Sequence, residues 1–124
     1  MAPTILLIED NEQNRYLTTF LLEQRGYRVE TAVDGPSGVA MAAQSAPLAI
    51  LLDIQLPGMD GYHVAAALRA LPAHRSTPII AVTSYAMSGD REKSLAAGCS
   101  GYIEKPIDPD TFVDEMERAI GGTA

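Results

Sequence analysis

Leu48-Ala49-Ile50-Leu51-Leu52-Asp53 decides how this chain folds. The run from Leu48 to Leu52 is five apolar residues without a polar interruption, a length and pattern that suit a strand covered on both faces, as in a parallel sheet. Ile5 to Ile8 upstream and Ile79 to Val82 downstream have the same character and predict two more central strands. Arg28-Val29-Glu30-Thr31-Ala32 alternates polar and apolar residues, and Gly101-Tyr102-Ile103-Glu104 is short and mixed; both read as less buried edge strands.

The intervals carry helix signals. Asn11 is a good N-cap residue, Leu17, Phe20, Leu21 and Gln24 follow with helical spacing, and Gly26 stands where a C-terminal glycine is expected. Pro36 suits the first turn of a second helix, with Val39, Ala42 and Ala43 on its buried stripe. Val64, Leu68 and Leu71 mark a third that stops before Pro72, and Ser88 to Ala97, closed by Gly98, a fourth. A fifth begins at Asp108 and Pro109, with Phe112, Met116 and Ala119 or Ile120 facing inward. Strand and helix alternating five times call for crossover connections onto a parallel sheet with helices on both faces.

At 124 residues, 47% hydrophobic and 20% charged, the chain is expected to form one domain over 1–124, with a core at about 4–120 and a short flexible tail at 121–124. Its formal net charge of -7 lacks the basic face that a nonspecific nucleic-acid binder needs. Cys99 is the single cysteine and cannot form an internal disulfide, and His63 and His74 have no metal-type spacing. No apolar stretch approaches the roughly 20 residues of a bilayer span, and the N-terminus has no secretory pattern, so a cytoplasmic setting without membrane insertion is expected.

Open parallel sheets bind ligands beyond the carboxyl ends of their strands. There the first predicted strand is followed by Glu9 and Asp10, the third ends in Asp53, the fourth in Thr83, and the fifth is followed by Lys105 and Pro106. Three converging carboxylates repel one another unless a cation or a proton intervenes, and an all-oxygen ligand set favours a hard ion, magnesium first. The Thr83 hydroxyl and the Lys105 ammonium are poor metal ligands but good donors to phosphoryl oxygens. Asp53, between the acidic pair and the donor pair, is the candidate nucleophile, and attack by its carboxylate would give an aspartyl phosphate. Magnesium and Lys105 would offset the charge on the transferring group.

Taken singly, these residues have ordinary readings. Glu9-Asp10 suits a helix entry, Asp53 a turn, Thr83 a strand, and Tyr102 half-buried packing. Lys105-Pro106 is an X-Pro step that can be cis. Cys99 reads as a small buried apolar residue, His63 and His74 as exposed, and Gly58 and Gly61 as turn glycines that keep the loop after Asp53 near the site. Arg15, Tyr16 and Thr19 on the first helix could be a docking surface or a plain solvated face.

Asp10, Asp53, Thr83 and Lys105, separated by 43, 30 and 22 residues, form an ordered set. With Glu9-Asp10, with Leu52-Asp53-Ile54-Gln55-Leu56-Pro57-Gly58-Met59-Asp60-Gly61 and with Lys105-Pro106, it resembles the receiver domain of bacterial response regulators, from about Thr4 to Ile120. Val82-Thr83-Ser84-Tyr85-Ala86-Met87 is similar to stand-alone cell-cycle regulators and to the receivers of hybrid histidine kinases.

The resemblance implies a flavodoxin-like, doubly wound (βα)5 fold with strand order 2-1-3-4-5. It also implies phosphoryl transfer from a histidine kinase or histidine phosphotransfer protein onto Asp53. Magnesium would be held by Asp10, Asp53 and the backbone carbonyl of Gln55, with Glu9 acting through water. A rearrangement of Thr83 and Tyr102 would then change affinity for a downstream protein target. Gln55 and Tyr85 occupy positions that tune dephosphorylation in the family, and Ser84 stands where alanine is usual. The expected protein is a phosphoacceptor switch in a two-component system or phosphorelay, with only self-catalysed phosphorylation and slow dephosphorylation. It would be a monomer or weak dimer that contacts neither nucleic acid nor membrane. Alternatives are a receiver module of a hybrid kinase or larger regulator, a scaffold that is never phosphorylated, and an aspartyl-phosphate phosphatase. Gln55 argues against the last, because it stands where such phosphatases need a second aspartate.

Overall fold

The computed structural model describes residues 2–56, 60–83 and 90–121, with backbone alone for Asp90 and Arg91. Strands β1 (Thr4–Ile8), β2 (Arg28–Ala32), β3 (Ala49–Asp53), β4 (Ile79–Thr83) and β5 (Gly101–Glu104) form one parallel sheet in the order 2-1-3-4-5. Helices α1 (Glu12–Gln24), α2 (Gly35–Ala43), α3 (Gly61–Ala70), α4 (Asp90–Ala96) and α5 (Phe112–Gly121) fill the intervals, and a short 3-10 turn at Pro72–His74 follows α3. The expected fold class and order are those observed. Gly58, Ser84, Tyr85, the predicted start of the fourth helix at Ser88 and residues 122–124 of the expected tail lie outside the described residues.

Every residue of β3 and β4 is buried, which explains their continuous apolarity, whereas in the edge strand β2 only Ala32 is buried. Alternate strand residues feed two cores. Leu6, Ile8, Ile50, Leu52, Ile79 and Ala81 pack with Ala42, Val64 and Leu68 of α2 and α3. Ile5, Leu7, Leu51, Ile80, Val82 and Ile103 pack with Leu22 of α1 and with Phe112, Val113 and Met116 of α5. Burying full side chains of this kind stabilises by roughly 1.5–3 kcal/mol each before ordering entropy is counted.

Several helix details differ from the sequence reading. On α1, Thr18 and Leu22 are the buried residues, while Phe20 is 47% exposed and Gln24 is exposed. On α2, Gly35, Gly38 and Ala42 face inward and Ala43 is exposed, because the helix lies so close to β1 that a Cβ at Gly38 would overlap the Ile8 side chain. Leu71 caps α3 instead of belonging to it. The fifth helix starts at Phe112, later than expected. Asp108 first forms a turn, its carbonyl accepting from the Thr111 and Phe112 amides and its carboxylate from the Asp110 amide. Gly26 does close α1 with a left-handed φ of +92°.

His74, expected to be exposed, is buried. Its Nδ1 lies 2.9 Å from Thr77 Oγ1 and its Nε2 2.6 Å from the Ala42 carbonyl, so both ring nitrogens have partners. His63 is exposed, and Cys99 is a buried residue of the first core, as expected. Among the described residues no helix is long and apolar enough to cross a membrane.

Candidate functional site

Register sets the site. Ile8 pairs with Leu52, Asp53 with Val82, and Thr83 with Glu104, so the carboxyl ends of β1, β3, β4 and β5 lie at one rim of the sheet. The next residues of the chain therefore meet there. Glu9, Asp10 and Asp53 each bring a carboxylate oxygen within 4.8 Å of the others, with Glu9 and Asp53 buried and Asp10 exposed. Thr83 is buried as the last residue of β4, and its carbonyl accepts from the Lys105 amide at 2.7 Å. Lys105-Pro106 is cis.

Glu9 is only 2% exposed. Its amide donates to the Ala32 carbonyl at 3.0 Å, and its Oε2 accepts from the Asn11 amide at 3.1 Å. Asn11 in turn caps α1 by accepting from the Asn14 amide at 2.9 Å, so the acidic pair is the entry to a capped helix as well as a member of the cluster. Asp53 Oδ1 accepts from the Gln55 amide at 2.8 Å. The loop beyond is held close by Gly61, whose amide donates to the Ile54 carbonyl at 3.1 Å and whose missing side chain leaves room for the Ile54 backbone. Tyr102 is half-buried on β5 and packs against the first core.

Lys105 stands between the two buried acids. Its Nζ is 3.1 Å from Glu9 Oε1 and 3.3 Å from Asp53 Oδ2, and the lysine side chain is 12% exposed. The sequence reading grouped Lys105 with Thr83 as hydrogen-bond donors to phosphoryl oxygens; the contact with Glu9 was not foreseen. Even with this cation beside it, the Glu9 carboxyl is pushed up to about 7, first by burial, then by its hydrogen bond with Asp53 and the charge of Asp53. Burial, with Asp53 beside it, thus outweighs what Lys105 and the Asn11 amide do to keep the Glu9 carboxyl charged.

Arg15, Tyr16 and Thr19 line a surface cleft of about 310 Å³ with Glu12 and Thr31, and Tyr16 is 74% exposed. Arg15 also reaches the site, because its Nη1 donates to the carbonyls of Glu9 at 3.1 Å and Asp10 at 3.3 Å. The sequence reading missed this second role. The signal was its place four residues after the cap Asn11, since helical side chains lean toward the helix N-terminus.

Sheet order and rim together define a doubly wound α/β protein with an acidic site at the strand ends. The response regulator receiver domain model matches residues 5–117, and the chain belongs to that family, whose members act as phosphorylation switches in two-component signalling. The polar-differentiation response regulator DivK of Brucella anthropi is 36% identical over 121 residues, covering 98% of each chain. The response regulator PleD of Caulobacter vibrioides is 42% identical over 108 residues; they make up 87% of this chain but only 24% of PleD. Among solved structures, the receiver domain of a Pseudomonas aeruginosa sensor histidine kinase, with a magnesium ion in its active-site cleft, superposes with a TM-score of 0.89. It is 39% identical, covering 98% of this chain and 99% of that one. The family assignment does not favour the phosphatase alternative.

Proposed function

We propose that the chain accepts a phosphoryl group on Asp53 from a phosphohistidine and thereby changes its affinity for a protein partner. One observation carries this reading: a buried aspartate at the end of a central strand has its Oδ2 3.3 Å from a lysine ammonium and shares a 4.8 Å cluster with Glu9 and Asp10. In the transfer, the P–N bond to the donor imidazole breaks as a P–O bond to the Asp53 carboxylate forms.

The residues fit a divalent ion. The clustered side chains Glu9, Asp10 and Asp53 are all carboxylates within 4.8 Å of one another, a hard all-oxygen set that suits magnesium. Asp10, Asp53 and the Gln55 carbonyl would hold it, with Glu9 acting through water. Once bound, the ion would supply electrostatic stabilisation of the phosphoryl oxygens. Lys105 and Thr83 donate hydrogen bonds to the transferred group, and Lys105 exchanges its contact with Asp53 for one with the new oxygens. Tyr102, on the strand that leads into Lys105, is the residue whose packing changes with Thr83 and alters the outer surface.

The phosphodonor is a histidine kinase or histidine phosphotransfer protein, and the exposed face of α1 near Tyr16 suits a protein donor. The match to DivK supports a regulatory role of this kind for the domain. We propose in addition that it is cytoplasmic, monomeric or weakly dimeric, and resets by slow self-catalysed hydrolysis. The decisive experiment incubates the protein with a radiolabelled phosphohistidine donor, with magnesium or with EDTA. Base-labile label should appear only with magnesium, and Asp53→Asn should abolish it. Equal labelling of wild type and Asp53→Asn removes Asp53 from the role.

A further inference from the structure

We propose that Arg15 is a positioning residue for the acidic pair, fixing the Glu9–Asp10 backbone so that both carboxylates stay aimed at one cation. The inference rests on the reading of the acidic cluster as a divalent-cation site. Residues 9–11 join the last residue of β1 to the first turn of α1, where strand and helix hydrogen bonding both stop. Backbone groups there need other partners. Glu9 donates its amide to Ala32, Asn11 donates its amide to the Glu9 carboxylate, and the Asn11 side chain caps α1. The carbonyls of Glu9 and Asp10 would be left to solvent, and one Arg15 nitrogen takes both, at 3.1 and 3.3 Å.

Two bonds from one guanidinium nitrogen fix the relative orientation of two successive peptide planes. Those planes set where the Glu9 and Asp10 side chains leave the backbone, one inward and buried, the other outward and exposed. The Arg15 amide donates to the Asn11 carbonyl at 2.9 Å, so the clamp is built on the helix that the loop leads into. Magnesium demands near-ideal octahedral geometry, and groups that orient its ligands typically change affinity 10- to 100-fold. The positive charge of Arg15 acts in the opposite direction, by repelling a cation, but Arg15 is only half-buried and solvent screens it in part. Orientation therefore outweighs repulsion, and losing Arg15 should weaken cation binding.

The test is calorimetric titration of magnesium chloride into wild type, Arg15→Gln, Arg15→Lys and Asp10→Asn, alongside amide hydrogen exchange without divalent cations. Arg15→Gln should bind magnesium about 10-fold more weakly than wild type. Arg15→Lys, which keeps a donor and a charge, should recover part of the loss. Exchange at the Asn11 amide should be about 10-fold faster in Arg15→Gln, while the amide of Leu51 in β3 keeps its wild-type rate, which separates local positioning from a general loss of stability. Magnesium affinity in Arg15→Gln within twofold of wild type, or tighter, overturns the proposal. If wild type and Asp10→Asn alike bind no magnesium, the reading of the cluster as a cation site fails instead. Asn11 exchange then decides alone whether Arg15 holds the loop.

Discussion

Glu9→Gln isolates the electrostatic stress of the site. Glu9 is buried beside Asp53, and its carboxyl is raised from 4.5 to about 7, burial being the largest cause. An acid whose proton affinity is higher folded than unfolded favours the native state fully below its unfolded pKa and loses that contribution as pH rises through the folded value. Stability from this group therefore falls between pH 4.5 and somewhat above 7, by about 3 kcal/mol in all. That is a large part of the 5–15 kcal/mol typical of a domain. Glutamine carries no titrating proton, keeps one acceptor oxygen where the carboxylate offered Oε2 to the Asn11 amide and Oε1 to Lys105, and should remove the fall. Urea unfolding of both proteins in EDTA, from pH 5.5 to 8.5, avoids the isoelectric region near 4.6 and still covers about 2 kcal/mol of the difference. Relative to wild type, the Glu9→Gln midpoint should climb by about 1 M across that range. Parallel profiles for the two proteins would show that Glu9 is not held at high proton affinity and would refute the reasoning.

Gly61→Ala places a methyl group against the Ile54 backbone, which cannot yield as a flexible side chain would. It should lower unfolding stability by roughly 1–3 kcal/mol and, because Ile54 follows Asp53, reduce phosphotransfer in protein that is still folded; an unchanged urea midpoint contradicts the close approach. Cys99 is buried and its thiol is pushed up to about 11 by that burial, so thiolate is scarce at pH 8. A thiol reagent should label native protein at least about 100-fold more slowly than urea-unfolded protein, and comparable rates would place Cys99 at the surface.

The central strands were legible because burial on both faces leaves no room for polar residues in β3 or β4. The end of β3 was legible for the complementary reason, since Asp53 at the close of an apolar run has no purpose in the core. Strand order was not written in hydropathy at all; it came from the family resemblance. Features set by distant partners escaped. Pro72-Ala73-His74-Arg75-Ser76-Thr77 looks like an exposed loop, yet His74 is buried because the Ala42 carbonyl, on a different helix, accepts its Nε2 proton. Phe20 has the helical spacing of a core residue but lies on the open side of α1, whose packing is carried by Thr18 and Leu22. The start of α5 was misplaced because Asp108 uses its oxygens to close a turn, a competition between side chain and helix that composition does not resolve.

The shared lysine shows why the strain in the site and the proposed switch are the same physical fact. Lys105 divides one positive charge between Glu9 and Asp53, and its amide is fastened to the Thr83 carbonyl, so its backbone belongs to the β4–β5 rim while its side chain spans to β1 and β3. A phosphoryl group on Asp53 would add negative charge and replace the oxygen that Lys105 touches. Under the proposed function the ammonium exchanges its contact with that Asp53 oxygen for one with the new oxygens, and it does so while still facing Glu9 at 3.1 Å. A well-satisfied pocket would resist such an exchange, since each new ion pair would come at the loss of one equally strong. Without a divalent ion the Glu9 carboxyl is raised, first by burial; a magnesium ion beside it would favour its charged form and so would balance the exchange. Under the proposed function, Lys105 turns to the phosphoryl oxygens while its amide stays fastened to the Thr83 carbonyl, and so carries the change to the end of β5.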